Sequence, residues 1–222
     1  MYANPEIPSI TAAVYQHMEQ RFGIEEDPYN ICNSYDPFIA DSLERINLKS
    51  FDNLVYTFPW LSREFCESLV KRYDRAKYST NPQEPEDSRI PEFIVDRQDP
   101  IFAKQLTQMF QNQLAPIGIA VLGQEISEIK SIQMAIYEAD GEISRTSYHV
   151  DQDSDATFTV ALNDDYEGGG LNLCEGGIYG KTVEVPPQKT GTVSIFNGRA
   201  HVHRGMPVTK GVRHLLVFWC SF

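Results

Sequence analysis

The chain has 222 residues, 41% hydrophobic and 23% charged, enough apolar material for one sizeable core. Its 31 acidic and 19 basic residues leave a formal net charge of −12. That balance argues against nucleic acid as a partner, because a phosphate backbone is met by clustered Lys and Arg; it suits a basic substrate, but solubility explains it equally well.

The four cysteines, Cys32, Cys66, Cys174 and Cys220, contain no Cys-x-x-Cys pair. Free thiols in a reducing compartment are expected. Met1–Glu6 has neither a basic start nor an apolar run, and no stretch approaches the roughly 20 apolar residues of a membrane span. The expectation is a cytoplasmic protein with no membrane partner; its oligomeric state is not legible. Residues 1–50 are expected to be an N-terminal helical extension of the same domain that occupies 51–222.

Ser9 is expected to cap a helix reaching Phe22, with Ile10, Val14 and Met18 on its apolar stripe and Gly23 as its stop. His17 lies on that stripe and is expected to pack rather than to ligate. Asp27-Pro28 and Asp36-Pro37 mark loops. Residues 51–58 read as a strand broken by Pro59, and Ser62 as the N-cap of a helix to about Arg75. Three prolines make 79–92 a long loop, either a solvated connection or a flap over a site. Asp99 and Pro100 start a further helix, as cap and first helical residue, which Pro116 and Gly118 are expected to end.

From Lys130 the pattern turns to short β runs: 132–137, 146–150, 157–163, 171–174, 182–185, 192–196 and 212–219. Turn signals separate them, among them Asp140-Gly141, Gly168-Gly169-Gly170 and Gly176-Gly177. Helices followed by many short strands predict an α+β fold with helices on one face of a double-sheet barrel or sandwich.

Within the β half, His149-Val150-Asp151 is read as lying on a strand. Residues i and i+2 there share a face, so both side chains can reach one metal ion. A histidine from His201-Val202-His203 would complete two imidazoles and one carboxylate, the facial set that binds Fe(II) and leaves positions open. Alternation does not choose between His201 and His203. On the last strand Arg213, Leu215, Val217 and Trp219 share one face, and His214, Leu216 and Phe218 the other. Both faces are otherwise apolar, so Arg213 is expected to be buried and to need an anionic partner, either a remote carboxylate or a bound one.

The order His149-x-Asp151, His203 and then Arg213 resembles the Fe(II)/2-oxoglutarate-dependent dioxygenases, and more closely their prolyl- and lysyl-hydroxylase branch. Thr157–Asn163, Asp165–Gly170 and above all Gly198–Arg213 are similar to the procollagen lysyl hydroxylase catalytic domain. The resemblance implies a double-stranded β-helix (jelly-roll) core. It implies His149, Asp151 and His203 as iron ligands, His203 being preferred for its interval to Arg213. Arg213 would grip the far carboxylate of 2-oxoglutarate, with Tyr137 and Thr159 beside the co-substrate. The implied cofactors are Fe(II), 2-oxoglutarate and O2, with ascorbate as a stimulant. The implied reaction hydroxylates a C–H of an amino-acid side chain, peptidyl or free, lysine or proline among them, as 2-oxoglutarate becomes succinate and CO2. The alternatives are hydroxylation, desaturation or cyclisation of a small metabolite at the same iron, and a non-catalytic metal-binding jelly-roll module. Gln152–Asp155 and Leu171–Cys174 depart from the family pattern where a substrate would approach; Asp153 and Asp155 there are expected to form a solvated loop, the alternative being carboxylates that favour a cationic substrate.

Overall fold

The computed structural model describes residues 3–22, 36–73, 75–84, 86, 89–140, 143–176 and 180–222. The expected helix stop at Gly23, the Asp27-Pro28 loop, Gly141, Gly177 and Cys32 lie outside them.

Helix α1 (Ile7–Phe22) buries Ile7, Ile10, Val14 and Met18, the stripe its periodicity predicts. Asp36-Pro37 is no loop but the start of α2 (Pro37–Arg45): the Asp36 carboxylate accepts from Ile39 N at 3.1 Å and Pro37 supplies the first helical residue. His17 turns its Nε2 to the same carboxylate, at 2.9 Å, and stacks on Phe38.

The single strand expected over 51–58 is two, β1 (Lys49–Phe51) and β2 (Val55–Pro59), paired as a hairpin with Phe51 opposite Val55. Asp52 and Asn53 turn the chain at φ of +53° and +58°, a conformation these two residue types adopt more readily than most. Ser62 caps α3 (Arg63–Arg72), accepting from Phe65 N at 3.2 Å. A short strand β3 (Glu92–Ile94) and one helical turn α4 (Val95–Gln98) lead to α5 (Pro100–Gln113), whose cap Asp99 accepts from Phe102 N at 3.3 Å. Helix α5 ends before Pro116, as expected, but Pro116 and Gly118 do not stop helical structure. They sit inside α6 (Ala115–Leu122), because proline in a first turn sacrifices no hydrogen bond. Gly118 is needed for packing: a Cβ there would lie 2.8 Å from the Phe158 ring.

The β half comprises β4 (Glu128–Glu138), β5 (Ala156–Ala161), β6 (Glu167–Gly168), β7 (Leu171–Glu175), β8 (Lys181–Val185), β9 (Thr192–Phe196), β10 (Val202–Gly205), β11 (Val208–Lys210) and β12 (Val212–Ser221). The predicted runs at 157–163, 171–174, 182–185, 192–196 and 212–219 all carry strands. The run expected at 146–150 does not: it holds one isolated bridge, His149 to His203. The antiparallel main sheet runs in the order β1-β2-β9-β5-β12-β4-β3; a second sheet runs β10-β7-β8.

Alternation along the central strands gives the main sheet two distinct faces. Ile132, Met134, Ile136, Phe158, Val160, Leu216 and Phe218 point to the helices and form the principal core. Its centre is aromatic, with Phe110 against Phe158 at 4.8 Å and against Phe218 at 5.0 Å. Phe158→Ala removes the ring that both α5 and Gly118 pack against, so it is expected to cost about 3–5 kcal/mol, read as a lower denaturant midpoint. The second sheet packs on the opposite face, where Leu173, Val183 and Val185 meet Val55 and Phe196. A cavity of about 480 Å³ opens between the sheets. Among the described residues no helix is long and apolar enough to cross a membrane.

Candidate metal centre

His149 and Asp151 project into this cavity from the segment before β5, and His203 from β10. The reciprocal backbone bonds between His149 and His203, 2.9 and 2.8 Å, hold the two imidazoles with ring centroids 4.5 Å apart. Asp151 N donates to Gly198 O at 3.0 Å, which sets the carboxylate between them. Its two oxygens lie 3.7 Å from His149 Nε2 and 3.6 Å from His203 Nε2. One ligand atom from each residue falls within a common 4.8 Å, the only such group of three among the described residues. His201 is not in it; its backbone N–H donates to Asn197 O in the preceding turn.

Each imidazole is oriented from behind. His149 Nδ1 faces Ser147 O at 2.8 Å and His203 Nδ1 faces His201 O at 2.9 Å. A carbonyl only accepts, so both Nδ1 atoms carry the proton and both Nε2 lone pairs point to the shared space. Burial, and then the neighbouring His203, push His149 below the usual histidine range, which favours the neutral ligand form. Burial pushes the Asp151 carboxyl up, but His203, the Thr157 hydroxyl and His149 outweigh it and hold the group below the ordinary aspartate range. Two imidazoles and one carboxylate, each held by its own hydrogen bonds, fit a divalent transition metal.

Sequence reasoning missed the parts that hold the carboxylate. Thr157 Oγ1 donates to Asp151 Oδ2 at 2.6 Å and is itself 3.0 Å from Ser154 Oγ, which accepts from Cys220 N at 3.1 Å. A Cβ on Gly198 would lie 2.5 Å from Asp151 Oδ2 and 2.3 Å from Thr157 Oγ1, so no larger residue fits. A threonine on a strand and a glycine before a histidine carry no local signal of this.

Arg213 is buried, 8% exposed, on the wall of the same cavity. Its Nη1 donates to Gly170 O at 3.1 Å, its Nε has no partner, and the guanidinium carbon stands 5.3 Å from the Tyr137 ring centroid. Among the described residues no carboxylate pairs with it, so the remote ion pair that the sequence left open is not found there. Thr159 lies on the same wall, beside Val217 and Ser194 in register. Of the acidic segment, Asp153 lines the cavity, but Asp155 is turned to Arg199 at 3.0 Å and to Phe222 N at 3.3 Å.

The wall also carries an acid that the sequence reading placed in a loop. Glu92 begins the edge strand β3, opposite Ala135, and is 8% exposed. Burial, reinforced by Glu84, pushes its carboxyl up to about 8. Because the folded value lies above the unfolded one, the folded state holds the extra proton, and stability falls as pH rises from about 4.5 to about 8. Glu92→Gln is therefore expected to stabilise the protein increasingly over that window, by at most about 4 kcal/mol at its top. Melting temperatures of both proteins from pH 5 to 9 would show the gap widen; a constant gap would refute the assignment.

Residues 132–221 match the family model of the 2OG-Fe(II) oxygenase superfamily. Human multifunctional procollagen lysine hydroxylase and glycosyltransferase LH3 is 27% identical over 176 residues, covering 73% of this chain and 23% of that protein. This chain thus spans under a quarter of the length of the curated relatives it matches. Among solved structures, a Pseudomonas putida prolyl-4-hydroxylase superposes with a TM-score of 0.52 at 20% identity, over 72% of this chain and 84% of that one. A Trichoplax adhaerens prolyl hydroxylase, in complex with a hypoxia inducible factor peptide fragment, superposes with a TM-score of 0.54 at 15% identity, over 69% and 74%.

Proposed function

The chain belongs to the 2OG-Fe(II) oxygenase superfamily, among its prolyl/lysyl hydroxylase-like members, and on that premise we propose that it hydroxylates a C–H of an amino-acid side chain, peptidyl or free, at an iron held by His149, Asp151 and His203. The observation that carries this reading is one cavity holding both the three-ligand cluster and a buried guanidinium without a carboxylate partner among the described residues. In this reading the two sheets form a double-stranded β-helix, residues 51–222 are the oxygenase domain, and residues 1–50 are a helical extension built onto it.

Fe(II), 2-oxoglutarate and O2 supply the oxidising chemistry, in which 2-oxoglutarate becomes succinate and CO2. The protein's part is to bind, orient and exclude water. His149 and His203 present Nε2 lone pairs fixed by their Nδ1 bonds. Asp151 contributes the anionic ligand, its carboxylate fixed by the Thr157 hydroxyl and its backbone by Gly198 O. Arg213 holds the distal carboxylate of 2-oxoglutarate with a planar fork that suits a carboxylate better than an ammonium would. Tyr137 and Thr159 line the space beside it. Purified protein given Fe(II), 2-oxoglutarate and ascorbate is expected to release succinate, and His149→Ala is expected not to. A protein that binds iron yet neither binds nor consumes 2-oxoglutarate would refute the proposal.

A further inference from the structure

Glu92 is an acid in an expensive place. Its strand pairs with β4, so its side chain shares the cavity face with Gln133, Ala135 and Tyr137. It is over nine-tenths buried, and among the described residues nothing donates to its carboxylate or pairs with it. The nearby charge that bears on it is Glu84, of the same sign. The nearest basic residue in sequence is committed elsewhere: Arg89 donates to the backbone oxygens of Glu84 and Pro82, at 2.7 and 3.0 Å. Nor does Arg213 reach it. Strand β4 and two residues of register separate them, and adjacent strands are about 4.8 Å apart.

A buried carboxylate without a partner costs stability, and an apolar side chain would cost less. Glu92 faces the cavity beneath Asn81, Gln83 and Glu84, so a molecule in the cavity can supply what the protein does not. Once a metal takes Asp151 and a 2-oxo acid takes Arg213, the carboxylates left on the wall are Glu92, Glu84 and Asp153; Arg89 bears on Glu84, and among the described residues no lysine or arginine pairs with Glu92. With the cavity empty Glu92 holds its proton; a cation would stabilise the carboxylate as that proton leaves to solvent, and a neutral donor would not.

We propose that Glu92 is a specificity-determining residue whose carboxylate accepts hydrogen bonds from a cationic nitrogen, ammonium or guanidinium, of the molecule that is oxidised. This rests on the reading of the cavity as an iron and 2-oxoglutarate site. It separates the substrates that reading admits, favouring a cationic side chain over the neutral ring of proline.

The test is binding to anaerobic protein loaded with Fe(II) and 2-oxoglutarate. The probes are lysine and arginine, free and as capped tripeptides, each against its neutral norleucine or citrulline counterpart, with proline as a third class. Wild-type protein is expected to bind a cationic member at least about tenfold more tightly than its neutral partner, the worth of one charge-assisted hydrogen bond. Glu92→Gln should reduce that preference to within about twofold, whereas Glu92→Asp should keep a preference of the same sign. Melting curves establish that both variants fold. Equal binding of charged and neutral partners, binding of proline alone, failure of any cationic probe to bind, or a preference that survives Glu92→Gln would each overturn the proposal. Succinate release by the wild-type protein, measured separately, reports on the iron and 2-oxoglutarate reading, so the two can fail independently.

Discussion

Asp151→Ala is expected to cost at least about 100-fold in Fe(II) affinity and to bring succinate release to the level of protein without iron, since even outer-shell partners of a metal are worth 10–100-fold. The reason is charge. His149 and His203 offer two neutral nitrogens, and Asp151 is the anion that lies within 3.7 Å of both. Without it the two imidazoles keep their orientation, because their Nδ1 bonds go to backbone carbonyls and not to the carboxylate. The variant should therefore stay folded and fail only at the metal. Anaerobic titration with Fe(II), beside a melting curve, measures both. Near-wild-type iron affinity in a folded Asp151→Ala protein would mean that the cluster is not the metal site. Thr157→Val is expected to act in the same direction but more weakly, since it removes the 2.6 Å hydrogen bond that fixes the ligand and leaves the ligand itself.

Arg213→Ala is expected to weaken 2-oxoglutarate binding by about 3 kcal/mol, roughly 100-fold, while leaving Fe(II) binding near wild type. Among the described residues the guanidinium donates to Gly170 O, interacts with Tyr166 and keeps an unpartnered Nε. Its carboxylate partner, in this reading, is the co-substrate. Removing a charge that lacks an ion-pair partner should cost the free protein little, and the rise in melting temperature on adding 2-oxoglutarate should vanish. Arg213→Lys should recover only part of the affinity, because an ammonium keeps the charge but not the fork. Equal losses of iron and 2-oxoglutarate binding would assign Arg213 to the structure and not to the co-substrate.

Local chemistry was legible in the sequence wherever neighbours along the chain do the work. Asp99-Pro100 and Ser62 start helices because a cap needs only a side chain and the amides two or three residues on. The two faces of β12 follow from the period of a strand. His149 and Asp151 meet through the same alternation of side chains, although the segment carries a single bridge and not the strand that was expected. The same local signals misled at Asp36-Pro37, where a turn pair is also a cap with a first-turn proline, and at Asp52-Asn53, where two turn-tolerant residues divide an apolar run into a hairpin.

What the sequence by itself determined is therefore an inventory: two imidazoles and a carboxylate at ligand spacing, and an arginine on an apolar strand. Only the tertiary structure decided which of them meet. His203 and not His201 stands at the cluster because it is bridged to His149, 54 residues earlier in the numbering. Gly198 and Thr157 matter because Thr157 donates to one oxygen of Asp151 and only a residue without a Cβ fits beside that oxygen at 198. Arg213 lacks a carboxylate partner among the described residues, and Glu92 lacks a cation there, because β4 lies between their strands in the sheet. Burial and pairing are properties of groups distant along the chain and adjacent in space, and residue type and local spacing do not encode them.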